Sequence, residues 1–83
     1  MEEPILEVVS RIMEKGKFSK SKTSAIKLKK HIEKLFKLNE KEKSQSTARM
    51  VYSGVIDLAR IGKGELAHDF ARRFEEEIGY EEL

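Results

Sequence analysis

Glu65-Leu-Ala-His-Asp-Phe-Ala-Arg-Arg-Phe-Glu-Glu-Glu-Ile78 decides the fold class. Leu66, Ala67, Phe70, Ala71, Phe74 and Ile78 recur at the helical period and fall on one face. Asp69, Arg72, Arg73, Glu76 and Glu77 occupy the other side, at spacings that allow i,i+3 and i,i+4 ion pairs. A stripe this regular needs apolar partners, and the rest of the chain offers only more helices. Downstream, Gly79 ends the pattern, and Tyr80 with Leu83 is placed to fold back as an anchor.

Upstream, Gly62-Lys63-Gly64 is a break between helices. Before it, Asn39-Glu-Lys-Glu42 has the form of a capping box, which predicts a long helix over 40–61, with 44–47 as an alternative start. Its stripe is Ala48, Val51, Tyr52, Val55, Leu58 and Ala59. Met50, Gly54 and Ile61 lie to another side, which suggests contact with two neighbours. A helix over 23–38 would bury Ala25, Leu28, Ile32, Leu35 and Phe36. The first helix, over 4–15, opens at Pro4, a residue pre-set for a first helical position, and presents Ile5, Val8, Val9, Ile12 and Met13. Glu7 and Arg11 form an expected exposed pair, and Gly16 suits a left-handed helix end. No stretch alternates apolar and polar residues long enough for a strand. The expectation is an all-α fold, one domain of 83 residues in about four packed helices, with residues 15–24 as a basic Ser/Lys-rich connector.

Several functions are excluded or left without support. The chain has no cysteine, so disulfides, thiolate metal sites and cysteine nucleophiles are absent. His31 and His68 lack partners at metal-ligand spacing, and no cofactor or metal is expected. Ser53 and Asp57 share a helix face with Arg49 and Arg60, but no histidine is near in sequence to act as base, and no catalytic residue is assigned. The chain reads as a non-enzyme. Met1-Glu-Glu-Pro4 has no basic n-region, and no apolar run approaches the ~18 residues that span a bilayer, so a cytoplasmic, non-membrane protein is expected.

What remains is charge, and it is unevenly placed. Residues 11–49 carry thirteen cations and four anions, a net +9, while residues 50–83 carry −4 and residues 1–10 carry −3. At ~100° per residue, Lys27, Lys30, Lys34 and Lys37 form one ridge away from the Leu28–Ile32–Leu35 stripe. The connector adds Lys17, Lys20 and Lys22, with Phe18 interleaved, and Lys41 follows the ridge. Such a surface suits the phosphate backbone of a nucleic acid, DNA in the first place. Lysine in place of arginine argues for loose backbone contact with little sequence specificity, the behaviour of a small regulatory or architectural protein.

Two blander readings compete. A lysine run is ordinarily a solvated helix face, and Phe18 is more often a packing residue than a base platform. The composition also favours lysine: 39% of residues are charged, and Asn39 and Gln45 are the only side-chain amides. That is the bias of thermophilic, often archaeal, proteins. A different function is a protein-interaction module, self-associating or docking as an accessory subunit through Met50 and Ile61. Gly62-Lys63-Gly64 could also cradle an anion or form the turn of a helix-turn-helix. A plain helix restart accounts for it more simply, and the acidic Glu75-Glu76-Glu77 end of the would-be reading helix would repel phosphates.

Overall fold

The computed structural model describes residues 3–18 and 24–83, which are all-helical with no strand. α1 spans Ile5–Lys15, α2 Ala25–Lys41, α3 Gln45–Arg60 and α4 Gly64–Arg73, and α4 runs on into a π-helical turn, Phe74–Ile78. The shortest dimension, 17 Å, corresponds to about two layers of helices.

α3 is the central element. It packs on α1, α2 and α4, and α1 also packs on α4. α2 lies outermost, leaning on α3 and reaching α4 where Phe36 stacks on Phe70, ring centroids 5.9 Å apart. The core gathers the predicted faces: Ile5 and Val9, then Ile32, Leu35 and Phe36, then Val51, Val55 and Leu58, with Ala67, Phe70, Ala71 and Phe74. Gly54 sets the α2–α3 approach, because a Cβ there would stand 3.0 Å from Ile32 Cγ1. At the start of α4, the Met13 thioether fills the space that a side chain at Gly64 would need.

The ends of the described chain are tied together. Ile5 N–H donates to the Tyr80 hydroxyl at 2.8 Å, and that hydroxyl donates to Glu75 Oε2 at 2.9 Å. Tyr52 Oη donates to the Glu3 carbonyl at 2.7 Å. The Tyr80 ring meets Phe74 edge-on at 5.4 Å, so the C-terminal segment does fold back as the sequence suggested. Burial pushes the Tyr80 phenol up to about 12, opposed by the Ile5 N–H and assisted by the Glu75 carboxylate.

The helix boundaries differ from the sequence reading at several places. Asn39 is not a cap: it is 3% exposed on the inner face of α2, one turn beyond Leu35, and α2 continues to Lys41. Ser44, in extended conformation, caps α3 instead, its Oγ accepting from Thr47 N–H at 3.1 Å. This is the alternative start, and it makes α3 begin at Gln45 rather than at Glu40. Pro4 precedes α1 and supplies its carbonyl to Glu7 and Val8 N–H, so the first helical residue is Ile5. The α-helix of the last element ends at Arg73, and the wider π turn closes with Gly79 N–H on the Phe74 carbonyl at 2.7 Å. Thr23, the expected start of the second helix, lies outside the described residues, and Ser24 caps α2 through Lys27 N–H at 3.1 Å.

Ion pairs also redistribute. Arg11 reaches Glu3 at 3.1 Å rather than Glu7. Of the pairs expected on the last helix, Arg73–Glu77 forms at 2.9 Å, and the Arg73 guanidinium lies 4.2 Å over the Phe36 ring. Gly16 adopts φ 64 and ends α1 as expected.

Candidate nucleic-acid interface

The outward side of α2 is cationic because its inward side is apolar. Ile32, Leu35, Phe36 and Asn39 are buried against α3 and α4, which turns Lys27, Lys30, Lys34, Lys37 and Lys41 to solvent, and all five are exposed. Lys41 was read as part of the following helix. The longer α2 puts it on the ridge, one turn beyond Lys37. The ridge therefore extends over fourteen residue steps, about 21 Å of helix. None of these five lysines forms an ion pair among the described residues, whereas Lys29, off the ridge, approaches Glu33 at 4.0 Å. α2 carries six lysines against Glu33 and Glu40, a net +4.

The connector is only partly described. Lys17 is exposed beyond the end of α1, and Lys20 and Lys22 lie outside the described residues. Phe18 is 45% exposed, with its ring lying against Gly62. It thus packs on the turn before α4 while keeping part of its surface open.

Besides Phe18, three exposed apolar side chains interrupt the charged surface, and Ile26 on α2 is the most open of them. Leu38 is 47% exposed and lines a shallow hollow of about 230 Å³ with Lys34, Lys37 and Lys41. Met50 is 44% exposed, while Ile61, its expected companion, is half-buried against the core.

The α2–α3 register creates one grouping that the sequence did not show. His31, Arg49, Ser53 and Asp57 line a common seam of about 260 Å³, with Leu28, Met50 and Gly54 at its floor and edge. No hydrogen bond joins His31 to Ser53 or Asp57, so these residues do not form a linked nucleophile and base here. Arg49 and Ser53 also border a second groove, about 560 Å³, that continues past Tyr52, Ile56 and Arg60 to Leu83.

The Gly62-Lys63-Gly64 turn borders a hollow shared with Glu65 and Asp69, whose carboxylates oppose an anion there. No group of three or more histidine and carboxylate side chains is placed to hold a metal ion among the described residues. No helix among them is long and apolar enough to cross a membrane. Comparison of the chain with family models, curated proteins and solved structures gives no match.

Proposed function

We propose that this protein binds nucleic acid, DNA foremost, through the phosphate backbone, with the lysine ridge of α2 as its contact. One observation carries the reading: five exposed lysines aligned along one helix without carboxylate partners among the described residues. Ammonium groups in register along a rod match a polyanion better than they match one another. Because lysines meet phosphates as point charges, the ridge by itself distinguishes sequences weakly.

The test is fluorescence anisotropy of labelled duplex DNA, single-stranded DNA and RNA over a range of salt. Contact with about four to six duplex phosphates gives a slope of log affinity against log salt near −4 to −5. A variant with Lys27, Lys30, Lys34 and Lys37 all changed to Glu should lose binding while keeping its helical circular-dichroism signal. Unchanged binding in that folded variant would remove the ridge from the interface.

Exposed Leu38 and Met50 favour a second reading, a protein-interaction surface with an apolar centre and a cationic rim. That reading gains if the protein self-associates in sedimentation while no nucleic acid binds at low salt.

A further inference from the structure

α3 is enclosed by α1, α2 and α4, so it meets solvent along a strip that includes Ser46, Arg49, Met50, Ser53 and Asp57. Arg49 is the distinctive member. Its guanidinium makes no hydrogen bond or ion pair among the described residues. Arg11, Arg60 and Arg73, by contrast, each sit beside a carboxylate, and Arg72, the other arginine without an ion pair among the described residues, lies on α4 away from this strip. The chain contains no acidic residue between Glu42 and Asp57, and Asp57 itself faces Arg60 at 4.0 Å. Arg49 also lines two hollows, the α2–α3 seam and the groove that runs along α3 to Leu83, as Ser53 and Asp57 do. Ser53 lies one turn along the strip and Ser46 one turn before it, with Tyr52 and Met50 also beside it.

The dimensions of DNA select what such an arginine can enter. A major groove roughly 12 Å wide and 8.5 Å deep is read by a whole helix, and α3 is too enclosed to sink into it. A minor groove roughly 6 Å wide admits a single extended side chain. It is narrowest and most negative over A·T tracts, where arginine is drawn in. Packed helices lie about 8–10 Å apart, so the lysines of α2 run beside this arginine at the scale of a groove wall. Lys27 and Lys34 are the nearest to it by helical position, being on the same side of α2 as His31, which lines the seam with Arg49.

We propose that Arg49 enters the minor groove of A·T-rich duplex DNA while the α2 ridge holds the adjoining phosphate strand. This rests on the ridge reading and adds to it the preference that lysines alone do not supply. It also names the duplex as substrate. Among the described residues the exposed face of α2 presents one aromatic ring, the His31 imidazole, and no phenyl, phenol or indole along which successive single-stranded bases would stack.

The experiment is equilibrium competition between an A·T-tract duplex and a G·C-rich duplex of equal length, at one fixed salt concentration. The wild-type protein should favour the A·T duplex by roughly five- to tenfold, the low end for a single base-pair preference. Arg49→Ala, with its fold checked by circular dichroism, should bind both duplexes equally, losing more affinity for the A·T duplex than for the G·C-rich one. Equal wild-type affinities, or a preference that survives in Arg49→Ala, would overturn the role of Arg49 and leave the ridge standing. No duplex binding at low salt would overturn both.

Discussion

Replacing Ser44 with Ala tests where α3 begins, and the structure supplies the size of the effect. The Ser44 hydroxyl accepts from Thr47 N–H at 3.1 Å and donates to Thr47 Oγ1 at 2.8 Å. Loss of the cap acceptor costs about 1 kcal/mol. Thr47 is 5% exposed, so its hydroxyl has little water to replace the lost donor. That adds on the order of 1 kcal/mol. The total, about 2 kcal/mol, lowers the melting temperature of a domain this small by on the order of 10 °C. Urea unfolding followed by circular dichroism measures it directly. Ser44→Asp separates the two parts, because a carboxylate can accept from Thr47 N–H but cannot donate to Oγ1. It should recover about half of the loss. A Ser44→Ala protein within about 0.5 kcal/mol of wild type would refute the reasoning and favour a helix started further upstream, nearer Asn39.

Two further outcomes follow from the aromatic contacts. Tyr80, raised from its ordinary 10.0 to about 12, is held protonated by the native state, so its contribution is intact below pH 10 and lost as pH rises through 12. The ultraviolet titration of wild type minus that of Tyr80→Phe should isolate one tyrosine ionising near 12; a difference centred near 10 would refute the assignment. Arg73→Met keeps an apolar stem over Phe36 but removes the cation and its pair with Glu77, and should cost about 1–2 kcal/mol in urea unfolding. A Met variant as stable as wild type would mean that Arg73 contributes packing alone.

Helix type was legible wherever apolar spacing and burial agree. Phe70, Ala71 and Phe74 needed only the period to be placed inside. The α2–α3 boundary was less clear because two local signals overlap. Asn39 and Glu42 have the spacing of a capping box, yet Asn39 is also the next inward position after Leu35, and packing on α3 prevailed. The consequence is an amide oxygen, Asn39 Oδ1, buried without a hydrogen-bond partner among the described residues. The π turn could not be read at all, since Phe74–Ile78 has an ordinary helical pattern. Its neighbourhood involves tertiary contacts, from Tyr80 to Ile5 N–H and the Phe74 ring.

The candidate site divides in the same way. The alignment of Lys27, Lys30, Lys34 and Lys37 is a property of one helix, so spacing alone revealed it. Lys41 joined them only once the end of α2 was known. The grouping of Arg49 and Ser53 with His31 depends on how two helices slide past each other. That register involves Ile32 lying against Gly54, a contact that no single-helix pattern contains.

The unpaired lysines of α2 also connect the folding equilibrium to the ionic medium. Lys27–Lys30, Lys30–Lys34, Lys34–Lys37 and Lys37–Lys41 are like-charged neighbours at i,i+3 or i,i+4. Each costs a few tenths of a kcal/mol, for an aggregate self-repulsion of about 1–2 kcal/mol. Added salt screens this repulsion and steadies the helix, while the same salt removes the entropic gain of counterion release on binding a polyanion. If the ridge binds a polyanion as proposed, resistance to heat and affinity for that partner respond to ionic strength in opposite directions, with one row of ammonium groups behind both.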